Sequence, residues 1–190
     1  MIGAEEISKE KDLKESLQKI FFELWDLYLI FWTLHWTSSG LNFYSDHLMA
    51  ERIYKKFPNE IDSVAEYMVA LFGVSSVDIA TTSRHVFESL REVSNENLLH
   101  VALEREVEFI DLLEDCIHLA NSMKNVAGLS NLLSGLAQSH QGENLYLLQQ
   151  RASSKKKLRV LKFSANEGCG TGSAKECESI LCRSLGFVVA

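Results

Sequence analysis

One proline and four cysteines in 190 residues leave little material for a loop-rich or disulfide-stapled fold. A sandwich or barrel needs a turn signal about every 8–12 residues, and ten glycines with a single proline do not supply them. Cys116, Cys169, Cys177 and Cys182 form no regular framework and match no common zinc spacing, which points to a reducing cytoplasm. Long apolar runs are also missing. The most apolar stretch, Ile20–Trp36, is broken by Glu23, Asp26 and His35 and falls short of the roughly 20 residues that span a bilayer, so no membrane partner is expected. The opening MIGAEEISKEKDLKES has neither an apolar core nor a small-residue cleavage site and does not read as a secretory signal.

The composition that is present, 46% hydrophobic and 24% charged, is that of a globular chain. Its net charge of −7 is unevenly spread. Residues 1–150 carry 11 Lys/Arg against 23 Asp/Glu, and residues 151–190 carry 8 against 3. A boundary therefore falls near Arg151, between an acidic body and a basic extension that holds three of the cysteines. An acidic body repels nucleic acid, so DNA binding would have to come from the run Arg151–Lys162, which has six positive charges.

Within the body, apolar residues recur at helical spacing in four long segments. The first runs from about Lys11 to Thr37 and ends at Gly40. The second runs from about Phe43 to Leu71, ends at Phe72-Gly73 and contains Pro58, which should kink it or break a hydrogen bond near its middle. A Ser/Thr-rich connector holds a short helix around Arg84–Leu90. The third opens at Ser94 or Asn95, a suitable N-cap, and runs through Ala120. The fourth spans about Lys124 to Arg151. Four helices with short links predict an all-α antiparallel bundle.

Five residues in the first two segments carry candidate chemistry: His35, His47, Glu51, Asp62 and Glu66. His47 and Glu51 share a helix face at i,i+4, as do Asp62 and Glu66. Taken alone, His47/Glu51 is an ordinary surface pair worth a few tenths of a kcal/mol, Asp62/Glu66 is an ordinary solvated face, and His35 is an ordinary core histidine. The distances are more telling. His47 and Asp62 are about 22 Å apart along a helix at roughly 1.5 Å per residue, so one metal ion cannot touch both pairs. An antiparallel first helix brings His35 to His47, giving one chain an upper trio and a lower pair. If two copies pack their second helices antiparallel about a two-fold axis, each trio meets the partner's pair. Two imidazoles with carboxylates and open positions suit Fe(II) better than a closed zinc site. Trp36, beside His35, is placed to cover such a site or to intercept radicals.

The run Leu34-His35-Trp36-Thr37-Ser38-Ser39-Gly40-Leu41-Asn42-Phe43, followed by His47-x3-Glu51 and Asp62-x2-Ala65-Glu66, resembles the signature of the Dps-type mini-ferritins. Leu71-Phe72-Gly73 is similar to that family's stop after its second helix, and Glu143-Asn144-Leu145-Tyr146 to its close of the fourth. The resemblance implies a ferritin-like four-helix bundle (residues 1–150) with a short extra helix between helices 2 and 3. The extension (151–190) has no counterpart in it. The resemblance also implies a homo-oligomer, a dodecameric cage, with di-metal sites for Fe(II)/Fe(III) at its two-fold interfaces. The implied activity is ferroxidase: Fe(II) oxidation, preferably by hydrogen peroxide rather than dioxygen, with storage of the ferric product and protection from oxidative damage. Manganese or zinc are alternative occupants of the sites.

Thr37, Glu51 and Tyr67 depart from the residues frequent in the family, and Tyr67 stands where an arginine commonly makes a supporting salt bridge. A second reading is a non-catalytic, DNA-compacting or structural cage acting through the basic extension. A third, an intra-subunit di-iron site, needs Glu-x-x-His on two helices; the nearest approach here is Asp115-x2-His118.

Overall fold

The computed structural model describes residues 4–153. Those residues form seven helices: α1 (Ala4–Thr37), α2 (Phe43–Tyr54), α3 (Phe57–Phe72), α4 (Ile79–Leu90), α5 (Leu98–Asn121), α6 (Ala127–Ser139) and α7 (Tyr146–Ser153). No strand occurs among the described residues. The calls on the rest of the extension, including Lys155–Lys162 and Cys169, Cys177 and Cys182, lie outside them.

The core explains the architecture. On α1, Leu13, Leu17, Ile20, Leu24, Leu27, Phe31 and Leu34 are all buried and follow one another at alternating steps of four and three, which keeps a single stripe facing inward. On α5, Leu98, Ala102, Glu106, Phe109, Leu113, Cys116 and Ala120 follow at steps of four or three. On α6 the stripe is Leu129, Leu133 and Leu136. These faces close one core with α2 and α3, and α4 lies on the outside against α1. At about 25 cal/mol per Å², each fully buried leucine or phenylalanine contributes roughly 1.5–3 kcal/mol.

The four long segments expected from periodicity are present, with differences in detail. α1 starts seven residues before Lys11, because Glu5 and Glu6 in its first turn suit a helix N-terminus. The second segment is interrupted at Lys55–Lys56, so that α2 and α3 are separate. Pro58 sits in the first turn of α3, where a missing N–H costs nothing. The interruption therefore falls upstream of the proline rather than on it. It does not rotate the faces: Ala50, Ile53, Phe57, Ile61, Val64 and Met68 stay buried at steps of three or four straight across the break. Glu143 clamps the break from the opposite helix, accepting charge-assisted hydrogen bonds from Arg52 and Lys56.

The connector helix extends from Ile79 rather than Arg84, because Asp78 caps it by accepting the Thr81 N–H at 2.7 Å. Ser94 caps the turn before α5 by accepting the Glu96 N–H at 3.3 Å. The fourth segment begins at Ala127 and is divided by a π-helical turn, His140–Leu145, before α7. Arg151 belongs to α7, where its Nη2 donates to Asp46 on α2 at 2.8 Å. Gly40 (φ 76°) and Gly73 (φ 82°) end α1 and α3 in left-handed conformations that glycine adopts without strain. Tyr67 packs against α6: its hydroxyl lies 2.6 Å from where a Cβ on Gly128 would sit, so the small residue on α6 accommodates the ring on α3.

Candidate functional site

The turn Ser38–Asn42 folds the start of α2 back onto the end of α1 and sets His35 against His47. The two rings stack with centroids 3.8 Å apart and planes 23° from parallel. Each ring is held by the other's backbone. His35 Nδ1–H donates to the His47 carbonyl at 3.1 Å, and His47 Nδ1–H donates to the His35 carbonyl at 2.8 Å. A carbonyl only accepts, so both Nδ1 atoms carry the proton. In the neutral rings both Nε2 atoms then keep a free lone pair, which is the arrangement a metal ligand requires.

Glu51, one turn along α2 from His47, completes the cluster: one ligand-capable atom from each of His35, His47 and Glu51 lies within 4.8 Å of the others. Lys55 donates to the Glu51 carboxylate and is the main reason its pKa is held below the usual range. All three residues are partly exposed, so solvent and a small cation reach them. Tyr54 flanks His35 at 5.2 Å and Phe43 flanks His47 at 5.2 Å, which fixes the rings from the sides. Trp36 does not cover the cluster. Its ring lies 4.6 Å from that of Trp32, tilted by 44°, and it is 61% exposed.

Asp62 and Glu66 lie on α3, exposed and without an ion pair or hydrogen bond to any other described residue. One chain therefore brings three of the five candidate residues together and leaves two facing outward.

A second polar cluster escaped the sequence reading. His140, on the π-helical turn, and Glu106, on α5, are both fully buried. His140 Nδ1–H donates to Glu106 Oε1 at 2.5 Å and Nε2–H donates to Glu60 Oε2 at 3.3 Å. Phe57 and Phe109 meet the ring edge-on. Burial pulls this histidine toward its neutral form, but Glu106 and Glu60 together outweigh it and lift its pKa to about 9. An imidazolium with both nitrogens donating has no lone pair for a metal, so this is a structural ion pair inside the bundle. Its signal was present in the pattern: Glu106 occupies the core step between Ala102 and Phe109, and His140 the step after Leu136. Asp115 and His118, the nearest approach to an intra-subunit di-iron motif, are both exposed.

No family model and no curated protein matches the sequence. Solved structures do match the fold. The Dps protein of Vibrio cholerae O1, described as a member of a broad superfamily of ferritin-like diiron-carboxylate proteins, superposes with a TM-score of 0.62 at 16% identity, covering 76% of this chain and 91% of that one. Dps from Thermosynechococcus elongatus superposes with a TM-score of 0.67 at 20% identity, covering 82% and 97%. No helix among the described residues is long and apolar enough to cross a membrane. The chain has the fold of the Dps-type mini-ferritins, a ferritin-like four-helix bundle with a short extra helix between its second and third long helices.

Proposed function

We propose that the protein is a ferroxidase that oxidises Fe(II) and stores the ferric product, at sites assembled by two copies of the chain. The observation that carries this reading is the reciprocal locking of His35 and His47, which leaves two Nε2 lone pairs beside the Glu51 carboxylate. Two neutral imidazoles bind a borderline cation such as Fe(II), and carboxylates favour the harder Fe(III) that forms. Asp62 and Glu66, exposed on the same chain, supply the remaining carboxylates to the partner's trio. The two-fold axis makes two equivalent sites, each able to take two iron ions. A dodecameric cage built on such pairs gives the product an interior in which to accumulate. The Dps-type fold and the diiron-carboxylate description of the Vibrio structure support this reading.

With hydrogen peroxide as oxidant the balance is two Fe(II), one peroxide and two protons giving two Fe(III) and two waters. Both electrons reach one peroxide, so little hydroxyl radical is released. The protein's part is to bind, orient and neutralise charge. The histidines hold the incoming Fe(II), and Lys55 keeps Glu51 ionised to receive it. The chain also offers a basic extension, but the acidic body opposes DNA, so iron chemistry is the favoured role. Replacing His47 and Glu51 together by Ala tests the reading: peroxide-dependent Fe(II) oxidation is lost while helical content is unchanged. An undiminished rate in that variant would remove these residues from the reaction.

A further inference from the structure

Asp26 is the one fully buried aspartate among the described residues. It lies on the core side of α1 between Leu24 and Leu27, fully buried; neither oxygen has a hydrogen bond of good geometry, Ser89, Arg105 and His85 are its polar neighbours, and burial raises its pKa against their pull. A buried carboxylate without partners costs several kcal/mol. Buried unpaired groups in folded proteins call for an explanation, and an ion is one of the few available. The surroundings supply the rest of a ligand set. His85, on α4, turns Nε2 toward Asp26 Oδ2 at 3.7 Å, and that nitrogen is also buried without a hydrogen-bond partner. Phe22 stacks on the His85 ring at 4.3 Å and 18°, which fixes its orientation. Glu23 stands one turn before Asp26 on the same face. One atom from each of Glu23, Asp26 and His85 lies within 4.8 Å of the others.

Arg105 on α5 does not close the gap. Its Nη1 donates to both oxygens of Glu23, at 2.9 and 3.2 Å, and its Nη2 donates to Ser89 at 2.5 Å. That leaves Nη2 3.8 Å from Asp26, beyond hydrogen-bonding reach. Burial raises the pKa of both carboxyls in spite of Arg105, so the pair calls for further positive charge before both ionise. A direct ion pair between Asp26 and a protonated His85 would draw the two to about 2.7–2.9 Å. The observed 3.7 Å is wider than that and close to the separation of two ligands that each bind one ion at about 2.0–2.2 Å.

We propose that Glu23, Asp26 and His85 form a second metal site, lying within one subunit, that takes a divalent transition-metal ion and clamps α4 to α1. One imidazole with two carboxylates suits Mn(II), Fe(II) or Zn(II) and disfavours soft ions such as Cu(I). The site is separate from the His35 cluster, about 13 Å away along α1 at roughly 1.5 Å per residue. It stands whether or not that cluster oxidises iron. The clamp has a structural purpose. α4 has no fully buried residue of its own, and Ile79 and Phe87 are exposed on it, so it is held to the bundle by few apolar contacts.

The test uses the full chain carrying His47→Ala and Glu51→Ala, which removes the first cluster. Mn(II) is titrated in and the free ion is followed by its electron paramagnetic resonance signal. Mn(II) is hard enough to ignore the thiols of the extension. One equivalent per chain is expected to bind. Adding His85→Ala should weaken it at least tenfold; this side chain is 38% exposed, so its removal leaves the fold intact. Asp26→Asn should do the same. Hydrogen exchange in residues 79–90 should slow with Mn(II) in the parent and not in the His85→Ala chain. A parent that binds no Mn(II) at millimolar concentration overturns the proposal. So does binding that neither substitution weakens.

Discussion

His35 and His47 each donate a hydrogen bond to the other's backbone carbonyl, at 3.1 and 2.8 Å, across a turn of twelve residues. Each ring is therefore anchored to the other residue's main chain, and the two rings stack at 3.8 Å. The first prediction is spectroscopic. In nitrogen-15 spectra of the neutral imidazoles, both rings should appear as the Nδ1–H tautomer. His47→Ala keeps the carbonyl of residue 47, so His35 should stay in that tautomer while the rate of Fe(II) oxidation falls by about 10–100-fold or more, the cost of disturbing a metal-ligand environment. A His35 that moves to the other tautomer in the variant would contradict the anchoring by backbone.

The buried His140–Glu106 pair makes a prediction about stability. His140 has a folded-state pKa raised to about 9. Its contribution is complete below the unfolded value of about 6.5, declines as pH rises and is lost once pH passes the folded value. Chemical denaturation between pH 6 and pH 10 should show this fall. His140→Ala should flatten it and cost about 3–5 kcal/mol at neutral pH, because Glu106 is left buried and unpaired. A flat pH profile in the unaltered protein would contradict the assignment.

Glu143 makes the opposite pH prediction on a smaller scale. Hydrogen bonds from Lys56 and Arg52 hold its carboxyl below the usual range, with the Lys56 contact the larger influence. Stability from this group is present above the unfolded carboxyl value near 4.3 and lost as pH falls through the folded one. Glu143→Gln should destabilise by about 1 kcal/mol, since the carboxylate is partly solvent-screened. It should also raise hydrogen exchange at Lys55–Lys56, where the clamp holds the break between α2 and α3.

The acidic face of α5 gives a prediction about cation entry. Glu104, Glu108, Asp111 and Asp115 are exposed and follow at steps of four, three and four, so they share one helix face. Neutralising all four to Gln or Asn should slow Fe(II) uptake at low salt, with less effect at high salt, where screening has already removed the attraction. Uptake rates that match the unaltered protein at low salt would exclude this face as a route.

The residues that position the candidate site were readable because they lie in an unbroken local pattern. The twelve-residue interval from His35 to His47 spans one turn, and the i,i+4 pairs fix the faces of α2 and α3. The bundle was readable from the steps of three and four on α1 and α5. What escaped was polar chemistry on those same stripes. Glu106, His140 and Asp26 occupy core positions, and a charged residue in a sequence is read as solvated unless its stripe is followed through it. The place of the break in the second segment escaped for another reason. Proline is tolerated in a helix's first turn, so Pro58 starts α3 and the interruption moves to Lys55–Lys56.

The most direct measurement of the central claim mixes two inactive proteins. Chains with His47→Ala and Glu51→Ala lack two of the trio, and chains with Asp62→Ala and Glu66→Ala lack the opposite pair. Refolded together one to one, mixed pairs hold one intact and one doubly defective site, so about a quarter of wild-type Fe(II) oxidation should return, as random pairing about a two-fold axis requires. A mixture no more active than its parts would show that the two half-sets do not meet across subunits.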